Sequence, residues 1–283
     1  YGAAGILAHS MFTALGHEVI SINKDPDGNF PNHHPDPSKE NNLVDIKNKM
    51  ISTNADIGFA FDGDGDRVGL ITNEGKSVIA DKIIMLMAEF YLNQTKGPIV
   101  FDVKCSNQLP LLIKKFGGKP IMEKTGHFNI KKRIRETNAV MGGEMSGHIF
   151  INYDWYGFDD AIYSAAILTK IVSESNISTS ELVNRIPSMY ATPELNLNIK
   201  EEEKFNLIEK FKSQMKFPNA DINTIDGVRI SIGNSWALMR ASNTSSKLVF
   251  RFEGDTEDNL KQIKDLFESN FLRIFPDIQL DYD

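Results

Sequence analysis

Apolar residues fall along this chain in short blocks whose period keeps changing. GAAGILAHSMFTALG opens it as a glycine-rich turn entering an amphipathic helix, with Ile6, Leu7, Met11, Phe12 and Leu15 apolar and Gly16 as the stop. HEVISI reads as a strand, and DPDGNFPNHHPDP, dense in Pro, Asp, Asn and Gly, as loop. A helix around Asn42 to Met50 precedes two strands, IGFAF and VGLIT, which flank a polar loop. Asp81 is placed to cap a long helix, KIIMLMAEFYLN. Then come a buried-strand pattern, PIVFDV, a helix from Leu109 to Phe116, a strand KPIMEK, and a turn and helix in TGHFNIKKRIRET. AVMGGEMSGHIF reads as strand, glycine-rich loop and strand, and Asp159 to Ser173 as a long helix. Past Pro187 lie a strand ELNLNI, a helix over Glu201 to Met215, three strands (VRISI, WALMRAS, KLVFRFEG) and a last helix after Asp255.

Strands alternating with helices predict α/β layers over 1–76 and 77–187. Grouped strands flanked by two helices predict an α+β domain over 188–283. A strand normally precedes a turn such as the opening one, and the chain starts at Tyr1 rather than Met. The expectation is therefore an N-terminus cut away, leaving the first α/β domain incomplete.

Composition narrows the function classes. Of 283 residues, 41% are hydrophobic, enough for sizeable cores. A net charge of −7 argues against broad nucleic-acid binding. Lys131, Lys132, Arg133 and Arg135 fit the solvated face of a helix. Cys105 is the single cysteine, so no internal disulfide forms, and it is expected to be an inert buried thiol. No apolar run reaches membrane-spanning length and no signal peptide is visible, so a soluble cytoplasmic protein is expected.

The densest chemistry is FAFDGDGDR. Asp62, Asp64 and Asp66 crowd three like charges that a cation would hold. The spacing matches positions 1, 3 and 5 of a calcium-binding EF-hand loop, but Arg67 stands where that loop needs glycine and Asn73 where it needs glutamate. Few protein ligands suit Mg²⁺, which keeps positions open for phosphate oxygens. A single Asp-Gly pair would be an ordinary turn; two in tandem with a third Asp and an Arg favour a metal. Arg67 could then grip a phosphate as a bidentate donor. In GGEMSGH, Glu144 and Ser146 point the same way if the segment is extended, which suits sugar hydroxyls. His148 could hold a phosphate or move a proton. Solvated loop residues would read the same way. RASNT offers Arg240, Ser242, Asn243 and Thr244 as a phosphate cradle, although for this segment alone an ordinary strand-to-strand turn is the better explanation. Lys104 in FDVKCS, and Lys124 and His127 in KTGH, each follow an apolar strand, where α/β folds place ligand groups, although a lone Lys or His is more often simply solvated at the surface.

The order DGDGDR, FDVK, KTGH, GEMSGH, RASNT resembles the α-D-phosphohexomutase family over essentially the whole chain, and the wording of the last two resembles its phosphomannomutase/phosphoglucomutase branch. The resemblance implies four domains around a cleft, of which this chain supplies most of domain 2 and all of domains 3 and 4. It implies Mg²⁺ on Asp62, Asp64 and Asp66, sugar selection by Glu144 and Ser146, and phosphate held by Arg240, Ser242, Asn243 and Thr244 on a mobile lid. It implies phosphoryl transfer between O6 and O1 of mannose or glucose through a hexose 1,6-bisphosphate. Lys104, His127 and His148 are then candidates for proton transfer or phosphate contact, with Lys124 beside them. Two departures stand out. RASNT continues with Ser245, Ser246 and Lys247 rather than Thr-Pro, and nothing matches the family's T(A/G)SHNP phosphoserine motif. Open alternatives are a non-catalytic sugar-phosphate or metal-binding module and a phosphoglucosamine-type mutase.

Overall fold

In the computed structural model, residues 1–282 are described. They form two compact units. One holds Tyr1–Asp102, Leu109–Met122 and His127–Pro187; the other holds Val103–Gln108, Glu123–Gly126 and the chain from Ser188 on. No helix among the described residues is long and apolar enough to cross a membrane.

The first unit starts with α1 (Ala4–Ala14), a 3-10 turn at Glu40–Leu43 and α2 (Val44–Thr53). β1 (Ile57–Phe61), β2 (Val68–Thr72) and β3 (Ser77–Val78) follow as an antiparallel sheet, β1 and β2 in register from Ile57 against Thr72 to Phe61 against Val68. α3 (Ala80–Gln94), β4 (Pro98–Asp102), α4 (Gln108–Lys115), β5 (Lys119–Glu123), α5 (His127–Thr137), β6 (Met141–Gly143) and β7 (Ile149–Ile151) come next. The four strands form one sheet in the order β5-β4-β6-β7, with β4 and β6 parallel and β7 returning antiparallel. α6 (Ala161–Glu174) and α7 (Thr179–Asn184) complete the unit. Val100, Ile130, Ile134, Ala139 and Phe150 bury the seam between α5 and the sheet. β6 carries two glycines because its neighbours leave no room. A Cβ on Gly142 would lie 2.8 Å from Ile134 Cδ1, and one on Gly143 would lie 2.5 Å from Ile84 Cγ1.

The second unit is a six-stranded sheet covered by two helices. β8 (Tyr190–Ala191), β9 (Leu195–Asn198), α8 (Lys204–Gln214), β10 (Asp221–Asn223), β11 (Val228–Ile232), β12 (Ser235–Ala241), β13 (Lys247–Gly254) and α9 (Glu257–Ile274) follow in order. The sheet runs β10-β11-β12-β13, and β8 and β9 both pair with β13. Alternation sorts its two faces. Val228, Ile230, Ala237, Met239, Phe250 and Phe252 share a core with Phe211, Phe267 and Phe271 of the helices. The opposite face carries Arg229, Trp236, Arg251 and Glu253, all buried. There Arg229 stacks 3.8 Å over the Trp236 ring, and Trp236 Nε1 donates to Glu253 at 2.8 Å. The segment Val103–Gln108 caps this polar layer. Arg229 donates to the carbonyls of Val103 and Cys105 and to Asn107 Oδ1, and Arg251 donates to the Lys104 carbonyl.

Most of the predicted elements form; α7 and the short strands β3, β8 and β10 have no counterpart in the sequence reading, and four predicted details differ. HEVISI is not a strand, because residues 17–22 have no partner ladder among the described residues. Asp81 does not cap α3; Ile79 is the cap position, and Asp81 is buried in the first turn. Ile6, Leu7 and Leu15 are exposed, and α1 buries only Ala4 and Phe12. Glu144 and Ser146 lie in the turn between β6 and β7, not in an extended segment.

Candidate functional site

In the first unit the aspartate loop and the GGEMSGH turn are joined through backbone. Arg67 and His148 form an antiparallel bridge, Val68 N donates to the Gly147 carbonyl at 3.1 Å, and Glu144 N donates to the His148 carbonyl at 2.9 Å. Ala161 N, at the start of α6, donates to the Gly65 carbonyl at 3.2 Å. Two motifs more than 70 residues apart thus share one scaffold.

Asp62 is buried and is the keystone of its loop. Its Oδ1 accepts from the backbone of Gly65, Asp66 and Arg67, each at 3.1 Å, and its Oδ2 accepts from Arg67 Nε at 2.6 Å. Burial opposes its ionisation, but the Arg67 hydrogen bonds win and hold its carboxyl below the usual range. Asp66 goes the other way. Burial, then its hydrogen bond with Asp62 and the charges of Asp62 and Asp64, push its carboxyl up to about 6 against the pull of His148. Arg67 also faces Asp36 at 3.5 Å, so its guanidinium is held by carboxylates.

Oxygens of Asp62, Asp64 and Asp66 lie within 4.8 Å of one another. An all-carboxylate set suits a hard cation such as Mg²⁺, and the raised Asp66 marks negative charge that a cation would relieve. Asp66, His127 and Asp159 lie equally close together. That second group fits a cation less well, because Lys131 Nζ already sits 3.0 Å from Asp159 Oδ1 and His127 Nδ1 lies 3.1 Å from Asp159 Oδ2.

His148 gathers the rest. Glu144 Oε2 and Ser146 Oγ lie 3.1 and 2.7 Å from its Nδ1, and Asp66 Oδ1 lies 3.4 Å from its Nε2. Burial disfavours its charged form, but Glu144, then Asp66 and Asp159, raise its pKa. Glu144 is 1% exposed, so the expected sugar-reading pair is turned onto the imidazole. His127 stands close by, its ring centroid 5.9 Å from that of His148.

In the second unit, RASNT forms a tight turn between β12 and β13. Ser242 Oγ accepts from the backbone of Thr244 at 3.3 Å and Ser245 at 3.2 Å. Lys204 braces the turn from below, its Nζ 2.8 Å from the Ser242 carbonyl. Arg240 is buried, and its Nη2 has no hydrogen-bond partner. A buried donor left unpaired is costly, and an oxyanion would satisfy it. Asn243 Nδ2 donates to the Thr125 carbonyl at 3.3 Å, which ties the turn to the KTGH loop, where Lys124 is exposed. Lys104 is buried, with Nζ 2.6 Å from Glu194 Oε1. The predicted residues therefore gather into two sets, one in each unit. Asp36, Glu194, Lys204 and Asp226 bear on these sets and escaped the sequence reading, because each is an isolated polar residue with no motif around it.

Known proteins fit this picture. Family models for phosphoglucomutase/phosphomannomutase match alpha/beta/alpha domain II over residues 1–75, alpha/beta/alpha domain III over 80–190 and the C-terminal domain over 194–269. This chain belongs to the phosphoglucomutase/phosphomannomutase family. A phosphomannomutase/phosphoglucomutase of Pseudomonas putida is 49% identical over 99% of this chain and 61% of its own length. A phosphoglucomutase of Neisseria gonorrhoeae is 43% identical over 97% and 61%. The crystal structure of a family protein from Burkholderia thailandensis superposes with a TM-score of 0.93 at 43% identity, covering 99% of this chain and 60% of that one. The chain thus spans about 61% of the length of these curated relatives. The aspartate loop lies in the family's domain II block, the GGEMSGH turn in its domain III block and RASNT in its C-terminal block.

Proposed function

We propose that this chain carries the metal-, sugar- and phosphate-holding parts of an intramolecular phosphotransferase that interconverts the 6-phospho and 1-phospho forms of mannose or glucose. The observation that carries the reading is the backbone joining of the aspartate loop to the Glu144–His148 turn. It sets an oxygen triad for a cation beside an imidazole, a carboxylate and a hydroxyl. The buried Arg240 with its unpaired Nη2 supports a second, phosphate-holding role, and the names of the relatives supply the reaction class.

On this reading Asp62, Asp64 and Asp66 hold Mg²⁺, which when bound draws charge from phosphoryl oxygens. Asp62 keeps Arg67 in place, so the guanidinium adds fixed positive charge at the same loop. His148, its Nδ1 engaged by Glu144 and Ser146, presents Nε2, and its raised pKa suits it to donate to a phosphate oxygen. His127 and Lys104 remain candidates for proton transfer or phosphate contact, each within its own unit. Glu144 and Ser146 read sugar hydroxyls by exchanging their contacts with His148 for the ligand's, Arg240, Ser242, Asn243 and Thr244 hold the non-reacting phosphate, and Lys124 approaches it from the neighbouring loop. The phosphoryl donor is a phosphoserine outside this sequence, which contains no T(A/G)SHNP motif. The sugar hydroxyl gives up its proton to a base and gains the phosphoryl group as the serine P–O bond breaks and the serine oxygen takes up a proton, giving a hexose 1,6-bisphosphate. The second phosphate then returns to the serine, and phosphate count and charge balance over the cycle.

A binding and turnover comparison tests this. This chain should bind mannose 6-phosphate and glucose 6-phosphate by calorimetry yet show no mutase turnover in a coupled assay. Glu144→Gln should weaken both sugars by about tenfold, the cost of one charged hydrogen bond. Robust turnover by this chain alone would refute the placement of the nucleophile, and loss of one sugar only would refute a shared reading pair.

A further inference from the structure

Arg240 is not held by its own strand. The residue that holds it lies in the turn between β10 and β11. Asp226 Oδ2 accepts from Arg240 Nε at 2.8 Å and from the backbone N–H of Thr125 at 3.1 Å. The side chains of Arg240 and Asp226 are 5% and 16% exposed, so water screens this pair little. The turn is pressed against β12 by the next residue. Gly227 has φ +79°, and a Cβ there would lie 2.2 Å from the Met239 carbonyl oxygen and 2.7 Å from Arg240 Cα. Only glycine allows both that backbone and that approach. From the other side, Asn243 of the same turn as Ser242 donates to the Thr125 carbonyl.

A guanidinium has two usable edges. Asp226 occupies Nε, and Nη2 is left buried without a partner. The edge made by the two terminal nitrogens is therefore the one an oxyanion can take. The same carboxylate oxygen pins Thr125, the residue after Lys124. We propose that Asp226 is a positioning residue for the phosphate site: it fixes the orientation of Arg240 and locks the 123–126 loop to it, so that arginine and loop meet one phosphate as a preformed socket. This rests on the reading of Arg240 as a phosphate-holding residue. It adds that the socket depends on a carboxylate that never touches the ligand and, by charge alone, would repel it.

The test uses this chain with mannose 6-phosphate and, separately, inorganic phosphate, titrated by calorimetry. Asp226→Ala should weaken mannose 6-phosphate by about tenfold, the value of one charge-assisted hydrogen bond. Asp226→Asn, which keeps an acceptor oxygen, should recover part of that loss. In an Arg240→Ala background, Asp226→Ala should cost clearly less, leaving only the loop's share of the loss. A loss of equal size in that background would overturn the proposal, since it would mean general damage rather than action through Arg240. Full-strength binding by Asp226→Ala would overturn it as well. If the alanine variant does not fold, the Arg240 Nε–H resonance decides. In the unaltered chain it should exchange slowly with water, and Asp226→Asn should speed that exchange; an unchanged rate overturns the proposal. Phosphate binding that survives Arg240→Ala would instead refute the underlying site reading, and the resonance would still report whether Asp226 holds the arginine.

Discussion

Asp62, Asp64 and Asp66 look equivalent in sequence, and their surroundings make them different residues. Asp62 is buried with four hydrogen bonds, whereas Asp64 is exposed. Asp62→Ala should therefore destabilise the first unit by about 3 kcal/mol, because three backbone donors and Arg67 lose their acceptor at once. Asp64→Asn should stay within about 0.5 kcal/mol of the unaltered chain in urea unfolding. Both should weaken Mg²⁺ binding measured by calorimetry. If Asp64→Asn leaves Mg²⁺ affinity intact, the triad is not the metal site. Asp159 carries a pH signature. Burial opposes its charge, but the Lys131 hydrogen bond and charge, with help from His127, hold its carboxyl below the ordinary 3.8. A depressed folded-state pKa contributes stability that is complete above the unfolded value and disappears as pH falls through the folded one. Asp159→Asn should lower stability at neutral pH by about 1–3 kcal/mol, and its urea midpoint should fall less steeply below about pH 4 than that of the unaltered chain. Parallel acid profiles would show that Asp159 carries no such linkage.

At the scale of elements, local signals and tertiary partners divide the work. α7 has a complete capping box: Ser178 Oγ accepts from Glu181 N, and Glu181 Oε2 accepts from Ser178 N at 2.9 Å. Ser178→Ala should cost about 1 kcal/mol, read from the thermal midpoint, and no shift would mean that packing of Leu182 and Val183 fixes the helix without its cap. Residues 17–22 show the converse. HEVISI has strand propensity, but without a neighbouring strand to form a ladder with, no strand forms. β6 is the third case. Its two glycines look like loop residues in sequence, yet they sit in a buried strand where α3 and α5 come within contact of the backbone.

For the molecule as a whole, the two residue sets sit in separate compact units, so their ligands should protect separate parts of the chain. Mg²⁺ at a hundredfold excess over its dissociation constant adds about 2.7 kcal/mol to whatever it binds. Hydrogen exchange should therefore slow in residues 57–72 and 141–151 with Mg²⁺, and in 226–247 with inorganic phosphate. Protection of 226–247 by Mg²⁺ alone would contradict this assignment of ligands to units.

The sequence by itself determined the α/β and α+β layering, most of the element order and the contiguous motifs that carry the candidate chemistry. Apolar periodicity and glycine or proline punctuation are local, and the DGDGDR, GGEMSGH and RASNT motifs are contiguous. It also sufficed for the family, because five motifs in a fixed order constrain more than any one of them. Only the tertiary structure decided the partnerships. That Glu144 and Ser146 turn onto His148, that Arg67 is held by Asp62, and that Asp226 and Lys204 brace the RASNT turn are facts about distances between residues far apart in the chain. A lone aspartate or lysine carries no periodicity and no motif. Its role arises when the fold buries it, because a buried charge must find its partner, and sequence spacing does not say which residue that partner is.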